Sequence, residues 1–171
     1  MATLSELVGS GELVAIEVEL EYRLPWRRLY GTPDFINWLA DVLPGLESGI
    51  KGAALSPLEQ VDALFYEFIS GQPMVEDRRF KPLHYKPELH VWEMKTIDIR
   101  IFGWFAAMDR FICSFGVMKD ELTGLMPPPA RRRHDASTYI ARTSYVREKL
   151  NLDEPKCLTS REYANVLSNA D

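Results

Sequence analysis

The stretch LHVWEMKTIDIRIFGWFAAMDRFICSFGVMK, Leu89 to Lys119, runs with a period of two residues. Successive side chains of an extended chain point to opposite faces, so this period marks strands with one buried side. Three strands are expected, at Val91–Lys95, Ile97–Phe105 and Arg110–Lys119. Their joints, around Thr96 and at Ala106–Asp109, are short enough to predict an antiparallel meander. In the middle strand Ile97, Ile99, Ile101 and Phe105 share one parity, and Arg100, Phe102 and Trp104 share the other. In the third, Phe111, Cys113, Phe115 and Val117 share the core parity, and Lys119 shares it too unless the strand bulges near Gly116.

Upstream, Val14, Ile16, Val18, Leu20 and Tyr22 alternate with Glu17, Glu19, Glu21 and Arg23, which predicts an N-terminal strand with an acidic wet face, ended by Pro25. Thr32-Pro33-Asp34 is a helix start, followed by Phe35, Ile36, Leu39, Val42 and Leu43 at helical spacing up to Pro44-Gly45. Ser56-Pro57-Leu58-Glu59 is a capping box opening a second amphipathic helix that Gly71 closes. After the break at Met126–Pro129, a longer helix is expected from about Ala130 to Leu150, and Thr159-Ser160-Arg161-Glu162 caps a short final one. The order is that of an α+β domain, an antiparallel sheet of the N-terminal strand plus the meander, with helices on one face.

The 171 residues are 46% hydrophobic and 26% charged, an ordinary globular balance, and the formal charge is −5. A uniformly basic nucleic-acid coat is excluded. Cys113 and Cys157 form no Cys-x-x-Cys pair, so neither a disulfide framework nor a cysteine zinc site is expected. No apolar run approaches a bilayer span, and Met-Ala-Thr-Leu-Ser-Glu lacks a signal-peptide pattern, so a cytoplasmic protein without membrane contact is expected.

The charge is unevenly spread. Residues 78–100 carry a net +3 through Arg78, Arg79, Lys81, Lys86, Lys95 and Arg100, and residues 131–147 a net +4, led by Arg131, Arg132 and Arg133. Two readings stand side by side: solvated surfaces, or a phosphate-facing site with Tyr85, Trp92 and Trp104 as stacking rings. The three histidines, His84, His90 and His134, lie in or beside these segments, where imidazole suits proton transfer. His84 and His90 have no third ligand at useful spacing, so no metal or other cofactor is expected. No Gly-x-Ser-x-Gly elbow, Walker loop or Gly-x-Gly-x-x-Gly turn is present, and Cys113, inside an apolar strand, is expected to be inert.

The run Arg79-Phe-Lys-Pro-Leu83, then Leu89-His-Val-Trp-Glu-Met-Lys95, Ile99-Arg100-Ile101 and Phe115-Gly-Val-Met-Lys119 resembles the RelE/HigB toxin superfamily, in its phage-derived branch. Glu93-Met94-Lys95 stands at the family's Glu-Leu-Arg, Arg100-Ile101 in its Tyr-Arg-Ile strand, and Gly116–Lys119 at its Gly-Phe-x-Lys ending, where Asp120 replaces a second lysine. The resemblance covers about residues 79–120. It implies a RelE-like domain over 1–150 with a short helical extension at 151–171, and a type II toxin that cleaves mRNA at the ribosome without metal, restrained by an antitoxin. The RNA 2′-hydroxyl attacks the adjacent phosphate, so the protein aligns it, moves protons and stabilises phosphate charge. By motif position Lys95, Arg100 and Lys119 are the catalytic candidates, and His84 and His90 join them by chemistry alone. Lys81 matches the basic position ahead of the meander and joins Arg78, Arg79, Lys86, Arg131, Arg132 and Arg133 as RNA-binding candidates. The alternative on the same fold is a non-catalytic interaction module, phage or mobile-element encoded, with the acidic first strand and the long C-terminal helix as binding surfaces. For Arg100 two placements stay open, a recognition row beside Phe102 and Trp104, or an ion pair on a face covered by that helix.

Overall fold

The computed structural model describes residues 1–123 and 136–170. Thr3 and Glu6 close a capping box on helix α1 (Leu4–Ser10), which Gly11 ends at φ 81°. Strands β1 (Val14–Ile16) and β2 (Arg28–Gly31) follow. Thr32 then caps α2 (Pro33–Asn37), which runs on through a π turn at Trp38–Val42 and a 3-10 turn at Leu43–Gly45. Helix α3 (Pro57–Ile69) has the Ser56–Glu59 capping box and buries Val61, Leu64, Phe65, Phe68 and Ile69. Strands β3 (Phe80–Pro82), β4 (Trp92–Lys95), β5 (Ile99–Ala107) and β6 (Arg110–Met118) come next, then helices α4 (Lys119–Thr123) and α5 (Ala136–Lys149).

The fold is α+β, built on a six-stranded sheet of order β1-β2-β6-β5-β4-β3. The sheet is mixed and not wholly antiparallel as expected: β2 runs parallel to β6, Leu29 opposite Phe111, and the other neighbours are antiparallel. The expected first strand pairs only over Val14–Ile16. Beyond it Val18 and Leu20 still pack on the core while Glu17, Glu19 and Glu21 stay exposed, so the alternation there records one-sided burial without ladder pairing. The helices also cover both faces instead of one. On one face α2 and α3 close over Phe80, Trp92, Met94, Ile101, Phe105, Phe111 and Cys113. On the other, α1 packs near Trp104 and Ile112, and α5 lays Tyr139 and Ile140 over Phe102 and Val117.

A bulge in β6 decides which residues face which helix. Phe102 pairs with Phe115 but Gly103 with Cys113, leaving Ser114 as the extra residue. The Ser114 hydroxyl donates to the Phe102 carbonyl at 2.9 Å and lies 2.7 Å from the Thr143 hydroxyl of α5. Phe111 and Cys113 therefore face α3, whereas Phe115 and Val117 turn to α5, a correction to the single parity that the sequence suggests. Gly116 sits where an added Cβ would enter the Trp38 ring, at 2.6 Å from its Cε3, so this residue's smallness is what lets the π turn seat on the sheet.

Residues 151–170 close the structure with one 3-10 turn, Tyr163–Asn165, in place of the capped helix. Val166 and Leu167 enter the α3-side core and Leu152 the α1-side core. Arg27 pins this tail. Its guanidinium is 0% exposed and donates to the carbonyls of Phe68, Gly71, Gln72 and Ser168 and to Asn169 Oδ1, with Asp109 at 3.7 Å. Among the described residues no helix is long and apolar enough to cross a membrane.

Candidate functional site

The register of β3, β4 and β5 brings three of the candidate cations onto one face. Lys81 pairs with Glu93, and Lys95 with Arg100, while their neighbours Phe80, Met94 and Ile101 face α3. Lys81, Glu93, Lys95 and Arg100 thus stand on the α5 face. Glu93, only 6% exposed, sits among the cations with Arg100 Nε 3.4 Å from its carboxylate. Burial raises the Glu93 carboxyl against the opposing pull of Arg100, Lys81 and Lys95. Burial also lowers Lys95, helped by the charge of Lys81, and lowers Arg100. The Arg100 guanidinium further donates to the carbonyls of Thr96 at 2.6 Å and Ile99 at 2.8 Å. Of the two placements open for Arg100, the ion pair is the one observed.

Two of the three candidate stacking rings, Trp92 and Trp104, are spent on packing. Phe102 lies 5.0 Å from the Tyr139 ring, nearly parallel, and Trp104 is buried with its indole N–H donated to the Lys156 carbonyl. Trp92 stacks on Phe80 in the α3-side core. Tyr85 is exposed, with Lys86 over its ring.

At the far end of β4 the chain passes His90 in the left-handed region, φ 52°, and a second cluster forms. Arg161 donates to the Leu83 carbonyl and lies 3.3 Å from His84 Nδ1. Arg147, buried on α5, donates to the Leu89 carbonyl at 2.8 Å, spans the Trp104 ring at 6.0 Å and has its Nε 3.6 Å from Glu148. His90 Nδ1 is buried without a hydrogen-bond partner. Burial, then the charges of Arg147 and Arg161, hold the His90 imidazole below its ordinary value, with Glu88 opposing. Arg147 had a signal in the sequence, since Tyr139, Thr143 and Arg147 follow at helical spacing on the buried side of α5. Arg161 had none, because only the path of the C-terminal tail brings it to His84.

Lys119 does not join the others. It opens α4, its amide donates to the Asp98 carbonyl at 2.6 Å, and Asp98 is tied to Gln60 of α3 and to the Gly49 amide. Burial alone would raise Asp98, but hydrogen bonds from Ser48, Gln60 and Gly49 and the Lys119 charge hold it low. Arg79 is paired with Glu67 at 2.5 Å and Arg78 is exposed. Arg131, Arg132, Arg133 and His134 lie outside the described residues. Among the described residues no group of three or more His, Cys, Asp or Glu side chains gathers to hold a metal ion. Cys113 is fully buried and its thiol is pushed well up by that burial.

The arrangement offers an anion two attachment points on one side of the sheet: a cation cluster of net +2 at Lys81, Glu93, Lys95 and Arg100, and an imidazole–guanidinium cluster at the β4 entrance. Comparisons of this chain with protein-family models, with curated proteins and with solved structures return no match.

Proposed function

We propose that the protein is a toxin of the RelE/HigB type, which binds RNA on the α5 face beside β3 and β4 and cleaves it through the RNA's own 2′-hydroxyl. The supporting observation is the shared face of Lys81, Lys95 and Arg100, three of the four family-matched cations, with Lys119 apart from them at α4 and with His84 and His90 at the end of the same strand pair. Lys81 and Lys95 neutralise the phosphate backbone, and Arg161 beside His84 polarises the scissile phosphate, while the buried Arg147 holds the Leu89 carbonyl next to His90. His90, kept neutral by burial and by the two arginines, takes the 2′-hydroxyl proton; its buried Nδ1 leaves Nε2 as the accepting atom. His84 returns a proton to the leaving 5′-oxygen. The RelE-type arrangement is proposed for the matched stretch, about residues 79–120.

A second reading, a non-catalytic module of the same type, is favoured by one observation: Glu93 occupies the centre of the cation cluster, and Phe102 and Trp104 are closed under α5 and the tail. Induced expression in a bacterial host separates the two. Wild type, Lys81→Ala/Lys95→Ala and His90→Asn are compared for growth and for mRNA 5′ ends. Growth arrest with new cleavage sites, lost in both variants, is the expected result. Normal growth with abundant wild-type protein and no new 5′ ends supports the module. Arrest with the same cleavage sites in the wild type and both variants overturns the placement of the site on this face.

A further inference from the structure

A cleft of about 870 Å³ lies away from the histidines and the cation cluster, between α1, the β1–β2 edge of the sheet and the chain near Leu152. Its volume is that of a small-molecule site, about 300–1,000 Å³ in general. Val8 and Leu152 give it apolar walls, and Arg23, Arg28 and Arg110 reach its lining. Arg28 and Arg110 are register partners in the adjacent parallel strands β2 and β6, so their side chains rise side by side from the same face. Strands in a sheet run about 4.8 Å apart, close enough for the two guanidinium charges to repel.

No ion pair relieves that repulsion. Among the described residues none of the three arginines has a carboxylate within ion-pair distance, although Glu17 and Asp153 also line the cleft. Arg27, between them in the chain, behaves in the opposite way, with its guanidinium buried in a cage of carbonyls. The neighbouring arginines are thus not consumed by the fold. Planar guanidinium groups in a row match the oxygens of a carboxylate or phosphate, and the apolar walls match a hydrocarbon or ring body.

We propose that this cleft binds an amphipathic anion, a carboxylate or phosphate head held by Arg28 and Arg110 on an apolar body lying against α1. It is independent of the RNA-cleaving function proposed above. The test is calorimetric titration of the full chain with dodecanoate and with dodecyl phosphate, both below micelle-forming concentration, and with dodecyltrimethylammonium as the cationic control. Saturable binding of one anion per chain is expected, with the stronger of the two identifying the head group. Arg28→Ala/Arg110→Ala should weaken it by about tenfold or more, the loss of roughly one charge-assisted contact or more. Both side chains are exposed, so the variant should keep the wild-type melting temperature, and Arg110→Gln serves as the milder second variant. Equal affinity in these variants, equal binding of the cationic control, or no saturable binding of either anion overturns the proposal.

Discussion

His90 is a residue whose protonation the fold biases in one direction. Its imidazole is held below the ordinary histidine value by burial and by Arg147 and Arg161, so folding favours the neutral form. The unfolded chain then binds the proton more readily, and stability from this group is present above about pH 6.5 and is lost as pH falls below it toward the folded value. Asparagine is the substitution that isolates the effect, because it tolerates the left-handed backbone that His90 adopts at φ 52°. We expect the urea midpoint of the wild type to fall more steeply than that of His90→Asn between about pH 7.5 and about pH 5. The other titrating groups are common to both proteins, so the difference between the curves belongs to His90. Parallel curves would remove the electrostatic basis for the base role proposed for it.

Among the elements, the tail from Leu158 to Ala170 depends on a contact that no local pattern announces. Arg27, from the turn before β2, is fully buried and ties Ser168 and Asn169 to the end of α3. Arg27→Met keeps the length but leaves several carbonyls unpaired, and should cost about 3–5 kcal/mol of stability. Asn169→Ala alone should cost about 1 kcal/mol, and much less in the Arg27→Met background, since both belong to one network. Additive losses in denaturant titrations would mean that Arg27 holds the core by some other contact. The same distinction between local and distant information governs how much of the fold was legible. The long strands β5 and β6, and helix α3 with its capping box, were readable because each carries enough residues to display its own period. Strands β2 and β3, at four and three residues, are too short to show one. The parallel pairing of β2 with β6 depends on chain path, and the β6 bulge depends on where Ser114 finds a carbonyl. A period-two count runs straight through that bulge, and so assigned Phe115 and Val117 to the wrong side.

At the scale of the whole molecule, an acidic chain of net −5 has sorted its cations into discrete places. Lys81, Lys95 and Arg100 were legible as candidates by motif position, but their shared face was not, since β3 is too short to show a period and the register across the β4–β5 turn is not written in the sequence. Their neutralisation by Glu93 was not legible either, since it follows from how deeply β4 is buried. Whether this face meets RNA is measurable through counterions, independently of cleavage. Each phosphate neutralised on a single strand releases condensed counterions, giving a slope of about −0.7 in log affinity against log salt. Removing Lys81 and Lys95 together should therefore flatten the slope by about 1.4. Glu93→Gln should act in the opposite direction, strengthening binding at low salt, because it deletes the carboxylate paired with Arg100 between the cations. Arg28→Ala/Arg110→Ala should leave the slope unchanged if RNA stays on the α5 face beside β3 and β4. Filter binding of a short unstructured RNA over a salt series tests all three at once. A slope that falls with Arg28 and Arg110, and not with Lys81 and Lys95, would move the nucleic-acid surface to the α1 cleft and set aside the function proposed for the β3–β4 face.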